Sequence, residues 1–237
     1  MGWPWSRPRS LKNISIFTPK RLQFVMNIKQ FEFNDFHENT YVVWDESGEC
    51  MIVDPGCYTT EEKETLKNFI LGNQLKPVLL VNTHCHIDHI LGNNYVSEYW
   101  NLPLHLHKDE LKTYEETNRW ADFFGLVAKD IPQKLVFIDE GQQLKFGQST
   151  FEILFTPGHS IASLSFYNAT QNFIIAGDVL FSRSIGRTDL PGGNHQVLLD
   201  TIRKKLFTLP DDCKVFCGHG PATLIGEEKK YNPFLNQ

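Results

Sequence analysis

The first half of the chain alternates short apolar runs with polar turns. Phe31 and Phe33 alternate with polar neighbours, as in a half-buried strand, and the apolar run at 78–81 has the pattern of a fully buried strand. Thr59 and Glu62 have the spacing of a helix capping box. The predicted elements are a strand at 31–33, a hairpin with arms at 41–44 and 51–53, a helix at 59–72, a strand at 78–81, a helix at 89–100 and a strand at 102–106.

The second half contains more strands and fewer helices. Its patterns predict short strands at 144–146, 151–155, 164–167, 173–176 and 215–217, with one helix at about 195–206. Because both halves combine strands with helices, and polar residues follow the strand ends in each half, the pattern predicts two sheets packed face to face with helices outside. The fold class is therefore α+β.

The region 107–134 is irregular and partly helical, and it contains the large aromatic residues Trp120, Phe123 and Phe124. These rings form either a lid-like wall beside a substrate or part of a helix that packs on the domain. We favour helix packing, because large aromatic side chains are mostly buried in globular proteins.

Composition favours a single globular domain. The chain has 237 residues, of which 41% are hydrophobic, and this allows a sizeable core. A formal net charge of −5 argues against broad nucleic-acid binding, and no apolar run approaches the length of a membrane span. We therefore expect neither a nucleic-acid nor a membrane partner.

The first 25 residues differ from the rest of the chain. They contain five basic residues, three prolines and no acidic residue, and they lack a periodic pattern. This composition predicts a disordered extension at 1–25 and a single domain at 26–237. The extension loosely resembles an organelle transit peptide, but we favour an upstream extension with Met26 as the natural start.

The five cysteines are odd in number and form no CxxC pair, which is typical of reduced thiols in a cytoplasmic protein. Cys85 lies between two histidines. In an extended segment its side chain points away from theirs, because successive residues face opposite sides. We therefore expect Cys85 to pack behind a site and not to bind a metal.

The segment His84-Cys85-His86-Ile87-Asp88-His89 contains three imidazoles and one carboxylate directly after a predicted buried strand. Histidine and carboxylate are common ligands of divalent metals. Residues two apart face the same way, so His84, His86 and Asp88 can converge, whereas His89 begins the following helix. One metal needs only some of these groups, so the segment indicates two metals.

Three more candidate ligands follow predicted strands at turns that contain glycine. His159 follows the strand at 151–155, Asp178 follows the strand at 173–176, and His219 follows the last strand. A lone histidine is more often structural. Four features in the same local context, however, indicate one shared site.

With these positions, the chain resembles the metallo-β-lactamase superfamily over about residues 27–237, through HxHxDH and then a separate His, Asp and His. The resemblance implies an αββα four-layer sandwich with the site at one edge. It implies that the first metal is held by His84, His86 and His159, the second by Asp88, His89 and His219, and that Asp178 bridges both.

Particular residues narrow the resemblance to one part of the superfamily. His89 and the bridging Asp178 look like glyoxalase II, lactonases, phosphodiesterases and persulfide dioxygenases, whereas some β-lactamases have Arg in place of His89. The segments 186–189 and 218–221 look most like small bacterial glyoxalase II-type hydrolases. The residues after His219 are too few for the helical C-terminal domain of glyoxalase II. The resemblance therefore implies the same metal chemistry for this chain, but it does not imply specificity for glutathione.

The resemblance implies two divalent metal ions as cofactors, with zinc preferred and iron or manganese compatible with the same ligands. A hydroxide bridging the metals would attack an acyl carbon. Thioesters and lactones are favoured over amides, because a thiol of pKa about 8.5 can leave without a general acid. The candidate catalytic residue is Asp88, itself a predicted ligand, and the sequence offers no obvious spare acid.

Two further residues are candidates for supporting roles. Arg187 lies in a glycine-flanked loop after Asp178 and would bind a substrate carboxylate, unless it is a solvated loop residue. Asp54 matches the first motif of the superfamily and would orient a ligand, unless it is a structural turn aspartate. The histidines interpreted as structural or surface residues are His37, His105, His107 and His195.

The predicted function is a glyoxalase II-like metallohydrolase that cleaves S-lactoylglutathione or a related small-molecule acyl thioester. The alternatives are a mononuclear-iron persulfide dioxygenase and a lactonase of the same superfamily. A nuclease fits less well, because the chain is acidic and has no recognisable RNA-clamping insertion. A purely structural zinc site fits poorly, since such sites are usually closed, four-coordinate and often thiolate-rich.

Overall fold

The structure, a computed structural model, describes Met1 and residues 26–127 and 130–236. The disorder predicted for residues 1–25 lies outside the described residues, apart from Met1. None of the helices in the described ranges has the length and apolar character that a membrane crossing requires.

The first sheet is built from the first part of the chain. Its six strands occur in chain order: β1 (Asn27–Phe33), β2 (Glu38–Trp44), β3 (Glu49–Val53), β4 (Lys76–Val81), β5 (Leu104–Leu106) and β6 (Leu135–Phe137). Strands β1 to β3 are antiparallel, whereas β3 to β6 are parallel. Parallel neighbours need crossover connections. The connecting helices are α1 (Thr60–Gly72), α2 (Ile87–Ile90), α3 (Asn93–Trp100) and α4 (Glu110–Arg119), followed by a 3₁₀ turn at Ala121–Phe124.

The second sheet is built from the remainder. Its strands are β7 (Gln143–Phe146), β8 (Ser149–Phe155), β9 (Leu164–Asn168), β10 (Phe173–Gly177), β13 (Lys214–Cys217) and β14 (Thr223–Leu224), in the spatial order β14-β13-β10-β9-β8-β7. Between β10 and β13 lie a small hairpin and a helix: β11 (Leu180–Phe181), β12 (Ser184–Ile185) and α5 (His195–Lys204). A 3₁₀ turn at Leu206–Thr208 follows α5, and α6 (Ile225–Tyr231) follows β14.

Side-chain alternation along the strands sorts the apolar residues into layers. On β10, Phe173 and Ile175 belong to the core between the sheets, whereas Ile174 and Ala176 face the cluster that contains residues of α5. A third cluster joins the outer face of the first sheet to α1, α3 and α4. The predicted αββα sandwich is therefore confirmed.

The local predictions are confirmed in most places. Thr59 and Glu62 form the capping box at the start of α1. The helix predicted at 89–100 is instead divided into α2 and α3, with Gly92 as the N-cap of α3. Gly92 donates its N–H to the carbonyl of Pro55 (2.7 Å), and a Cβ at 92 would lie 2.5 Å from Cys57 Sγ. This close approach explains why glycine stands at the break.

A buried carboxylate connects the two sheets through the turn after β2 and the turn between β7 and β8. Asp45, in the turn after β2, accepts hydrogen bonds from Ser47 in its own turn. Its other oxygen accepts from the backbone N–H of Gln148 (2.8 Å) and from Ser149 Oγ (2.7 Å) in the β7–β8 turn. Burial opposes ionisation, but these donors outweigh it and lower the pKa of Asp45.

We expect Asp45→Asn to lower the free energy of unfolding at pH 7 by about 1–3 kcal/mol, because an amide cannot accept all of these hydrogen bonds. A carboxyl whose pKa is lowered by folding stabilises the fold above its unfolded pKa of about 3.9, and this contribution is lost as the pH falls through its folded pKa. Urea unfolding between pH 2 and 7 should therefore show a weaker acid dependence in the variant. Glu46→Gln, which changes an exposed neighbour in the same turn, is the control and should leave the profile near wild type.

Candidate metal centre

Four chain segments that follow strand ends meet at one edge of the sandwich. The segment 84–89 follows β4 in the first sheet, whereas His159, Asp178 and His219 follow β8, β10 and β13 in the second. An isolated bridge between Glu38 and His219 ties the last segment to β2. The candidate ligands, distant in sequence, therefore lie together across both sheets.

The first group consists of His84, His86 and His159. His159 Nε2 lies 2.8 Å from His86 Nδ1 and 3.2 Å from His84 Nε2. Nitrogens bound to one tetrahedral zinc at 2.0–2.1 Å lie about 3.3 Å from one another. The three rings therefore present their nitrogens at the spacing that a single cation requires.

The second group consists of Asp88, His89 and His219. Asp88 Oδ2 lies 3.1 Å from His219 Nε2 and 3.5 Å from His89 Nε2. His89 belongs to α2, and its ring lies between the two groups, with its centroid 4.2 Å from that of His84 and 5.4 Å from that of His219. The ligand atom of His89 groups with those of Asp88 and His219.

Asp178 lies between the two groups and faces both. Its Oδ1 is 3.5 Å from His89 Nε2, and its Oδ2 is 3.4 Å from His159 Nε2 and 3.5 Å from His219 Nε2. One carboxylate therefore reaches the ligand nitrogens of both groups, which is the placement a bridging ligand needs.

The residues fit a pair of divalent cations. His89 Nε2 and Asp178 Oδ1 are buried and have no hydrogen-bond partner among the described residues. Unpaired buried polar atoms are costly, and a cation between them would satisfy both. The nitrogen and oxygen donors suit zinc, iron or manganese.

The electrostatics differ between the two groups. Burial lowers the pKa of His84 well below its ordinary value and that of His86 to about 3, so both rings are neutral and able to ligate. Burial also favours a neutral His219, but hydrogen bonds with Asp178 and Asp88 outweigh it and raise the pKa of His219 to about 10. Cation binding at the second group therefore releases protons.

Residues 34–219 match the sequence model of the family described as the metallo-beta-lactamase superfamily. This chain belongs to the metallo-beta-lactamase superfamily. The predicted family is thereby confirmed. Membership of this superfamily also indicates that the protein is an enzyme of the metallo-hydrolase type.

The relatives with functional names include two that are at least 36% identical to this chain. "Probable metallo-hydrolase YqgX" of Bacillus subtilis is 39% identical over 190 residues, which cover 79% of this chain and 88% of the relative. "Hydroxyacylglutathione hydrolase GloC" of Haemophilus influenzae is 36% identical over 214 residues, which cover 89% and 99%.

Solved structures show the same superfamily fold. BLEG-1 B3 metallo-beta-lactamase has a TM-score of 0.80 and 35% identity, with 89% of this chain and 100% of that chain covered. TTHA1623 in a di-iron-bound form has a TM-score of 0.77 and 34% identity, with 87% and 100% covered. ETHE1 from Myxococcus xanthus has a TM-score of 0.71 and 27% identity, with 87% and 83% covered.

Asp54 anchors two of the metal-centre histidines from behind. It follows β3 with a φ of +47°, a left-handed conformation that aspartate tolerates better than most residues. Its Oδ2 accepts from His89 Nδ1 (3.2 Å) and from Thr83 Oγ1 (2.6 Å), and Thr83 Oγ1 accepts in turn from His84 Nδ1 (3.0 Å). Asp54 also lies close enough to His84 and His89 to form a third potential ligand group. Because its oxygens already accept from Thr83 and Asn82, we assign it to ligand orientation.

The other anchors are backbone carbonyls. His159 Nδ1 donates to the carbonyl of Arg187 (2.7 Å), and His219 Nδ1 donates to the carbonyl of Phe36 (3.1 Å). These hydrogen bonds leave the Nε2 atoms of both rings facing the centre. Arg187 therefore contributes its backbone to the site, a role that the sequence did not indicate.

Glu110 is a buried residue that the sequence analysis missed. It is the first residue of α4, and its Oε2 accepts from the N–H of Cys85 (2.9 Å). Its Oε1 accepts from the N–H of Ala162 (2.9 Å) and from Ser160 Oγ. Burial raises the pKa of Glu110, and the three donors oppose that shift. One side chain thus joins the two loops that carry His84, His86 and His159. The sequence signal was its position shortly after a strand end, which the candidate ligands share.

Glycine at two positions allows the strand ends to approach each other. A Cβ at 218 would lie 2.0 Å from Asp178 Oδ1 and 2.9 Å from His89 Cε1. Gly177 has a φ of +53°, and a Cβ there would lie 2.4 Å from Thr83 Oγ1. The absence of side chains at these positions is therefore a condition for the centre.

The remaining candidates lie outside the ligand groups. The Arg187 side chain lines the cavity over the centre but forms a two-point ion pair with Asp189, at 2.8 Å for each contact. Cys85 is buried and belongs to none of the ligand groups. The four other histidines also lie outside those groups: His37, His105, His107 and His195.

The packing prediction for Trp120, Phe123 and Phe124 is wrong. Their side chains line the same cavity and are 61%, 79% and 50% exposed. The physical reason is the tight 3₁₀ turn, which directs only Ala121 into the protein interior.

We expect Glu110→Gln to remain folded but to bind metal about 10–100-fold more weakly, because the amide places an NH₂ group against N–H donors. The free energy of unfolding should fall by about 1–3 kcal/mol. Competition with a chelator measures the first effect, and urea unfolding measures the second. Glu115→Gln, an exposed change on the same helix, should alter neither quantity. Unchanged metal affinity in Glu110→Gln would contradict the positioning role.

We expect Gly218→Ala to lose most of the bound metal although it removes no ligand, since its Cβ would occupy the space next to Asp178. Metal content after dialysis, measured by emission spectroscopy, tests this. Gly72→Ala is the matched control, because a Cβ at 72 meets nothing within 4 Å. Retention of full metal content by Gly218→Ala would show that the local backbone yields easily.

Proposed function

We propose that this protein hydrolyses a thioester with two divalent cations, in the manner of glyoxalase II-type enzymes, with S-lactoylglutathione or a related acyl thioester as substrate. The observation that carries the proposal is the position of Asp178, whose carboxylate lies within 3.5 Å of His159 in the first group and of His89 and His219 in the second. His84, His86 and His159 would hold one cation, and Asp88, His89 and His219 the other.

When bound, two such cations supply a hydroxide at neutral pH and stabilise negative charge on a carbonyl oxygen. The chain's own contribution is to orient this centre. Asp54 and the backbone carbonyls of Phe36 and Arg187 hold the rings from behind. A cavity of about 670 Å³ above the centre leaves room for a substrate.

The proton requirement favours a thioester. Hydrolysis breaks the acyl C–S bond, joins the oxygen of water to the acyl carbon and releases a thiolate that takes up a proton from solvent. A thiolate leaves readily because its conjugate acid has a pKa of about 8.5, whereas an amine must be protonated first. Asp88 contacts both His89 and His219, so as a ligand of the second cation its carboxylate would not act as a free acid.

The relatives support this substrate class. The match covers 99% of the relative named hydroxyacylglutathione hydrolase GloC, so the short segment after His219 does not weigh against acylglutathione hydrolysis. A lactone is a less favourable substrate for the same centre, because its ring opening releases an alkoxide, which is a stronger base than a thiolate. We also propose a cytoplasmic location, since the five cysteines are free and buried.

Zinc is the metal we propose, and iron is the specific alternative. The di-iron-bound form of TTHA1623, at 34% identity, shows that a similar chain accepts iron. An iron-dependent persulfide dioxygenase is the second candidate function, because His84, His86 and His159 alone would suffice to hold a single iron. It would hold one iron at the first group and consume oxygen, whereas the hydrolase would hold two metals and consume none.

We expect the purified protein to contain about two metals per chain and to release free thiol from S-lactoylglutathione. Asp178→Ala should lose metal and thioesterase activity together, because it removes a ligand from both groups. Asp200→Ala changes a partly exposed aspartate on α5, away from the ligand groups, and should retain both.

Metal analysis, thiol release and oxygen consumption should be measured on the same preparation. One iron per chain with oxygen uptake on a persulfide would support the dioxygenase instead. Two metals without turnover of any thioester would refute the proposed hydrolysis.

A further inference from the structure

The cavity above the candidate metal centre has an apolar wall that metal binding does not require. Its floor carries ligand side chains such as His86 and Asp178. The apolar side chains around it include Phe36, Ile87, Trp120, Phe123, Phe124 and Phe181. Large exposed apolar patches on a protein surface mark sites that bind an apolar ligand or partner.

The rings of this wall are exposed although their segment is anchored. Ala121 is fully buried and packs with Ile87 and Leu91, beside the metal-binding motif. The carbonyl of Ala121 accepts a hydrogen bond from the N–H of Leu126 (3.0 Å). The N–H of Val127 donates a hydrogen bond to the hydroxyl of Tyr58, in the loop before α1. The exposure of Trp120, Phe123 and Phe124 is therefore built into the turn and does not come from a loose segment.

The rings also contact one another in a continuous surface. The centroids of Phe123 and Phe124 are 5.4 Å apart, and those of Phe36 and Phe124 are 5.8 Å apart, both near perpendicular. Trp120 continues the row at 6.4 Å from Phe123. Such a row offers an aromatic or branched group the edge and face contacts that aromatic pairs prefer.

Charge on the wall is sparse and already paired. Among the described lining residues outside the ligand groups, the charged ones are Glu116 and Arg187. Arg187 is bound by Asp189, and Glu116 lies 3.9 Å from Lys112. Glutathione carries two carboxylates and an ammonium group, for which these paired side chains offer little. The wall is complementary to an uncharged apolar group.

We infer that the preferred substrates are thioesters with an aryl or bulky alkyl group beside the scissile C–S bond, seated against Trp120, Phe123 and Phe124. This inference rests on the proposed thioester hydrolysis. The apolar group belongs either to the acyl half or to the thiol half, because both flank the same bond. Hydrolysis yields the corresponding carboxylic acid and thiol, with water as the co-reactant.

The test varies one half of the substrate at a time with the metal-loaded full chain. S-Acetylglutathione is the reference, S-phenylacetylglutathione changes the acyl half, and the acetyl thioester of benzyl mercaptan changes the thiol half. We expect at least one aryl substrate to have a kcat/KM about tenfold or more above the reference. The aryl substrate whose kcat/KM is increased identifies whether the acyl half or the thiol half of the substrate lies against the wall.

Trp120→Ala should lower the ratio of aryl to reference kcat/KM by about tenfold, with the thermal unfolding midpoint near wild type because the side chain is 61% exposed. Phe137→Ala, which truncates an exposed phenylalanine of β6 that does not line the cavity, is the matched control and should leave the ratio unchanged. Phe123→Ser provides a second wall variant if Trp120→Ala fails to fold.

Equal kcat/KM for all three thioesters, or an unchanged ratio in both wall variants, would overturn this inference and leave the proposed function standing. Failure to hydrolyse any of the three would overturn the proposed function and the inference with it.

Discussion

Two buried carboxylates at the edge of the sandwich must have their negative charge compensated by neighbouring groups. Asp88 and Asp178 are each about 9% exposed, and they are surrounded by imidazoles. Buried carboxylates are costly unless they are paired. Contacts with His89 and His219 hold the pKa of Asp178 well below its ordinary value, although burial opposes this. The site is therefore stable only as a whole, because each acid depends on several rings.

A supporting layer of hydrogen bonds fixes this arrangement from both sheets. Asp54 and the carbonyl of Phe36, in the turn between β1 and β2, act from the first sheet, and the carbonyl of Arg187 acts from the loop after β12 in the second half of the chain. Glu110 adds a connection between the loop after β4 and the loop after β8. Because these groups are buried and rigidly placed, the ligand rings keep one orientation, which preorganises the centre for its cations.

The sequence predicted the parts of the structure that depend on local pattern. The ligand spacing at 84–89 could be understood because strand residues alternate sides and a helix begins within the motif. Strand ends followed by glycine turns likewise indicated His159, Asp178 and His219. The spatial contacts between them were not visible in the sequence, and the resemblance to a known family supplied their grouping.

Other features depend on tertiary contacts that no local pattern encodes. Glu110 looks like any acidic residue at a helix start, and its role follows only from the loops that reach it. Gly92 divides a helix because Pro55 and Cys57 approach its backbone. The wall at Trp120 departs from the usual burial of aromatic rings, because the tight turn at Ala121–Phe124 directs only Ala121 into the interior.

The candidate ligands come from both sheets, so cation binding would affect the stability of the whole chain. A cation held jointly by His86, from the first half, and His159, from the second, would link the unfolding of the two halves, since separating the sheets would release it. Bound ions stabilise the native state by mass action, in proportion to the logarithm of their free concentration over the dissociation constant. Metal supply in the surrounding medium would thus set resistance to proteolysis as well as catalytic capacity.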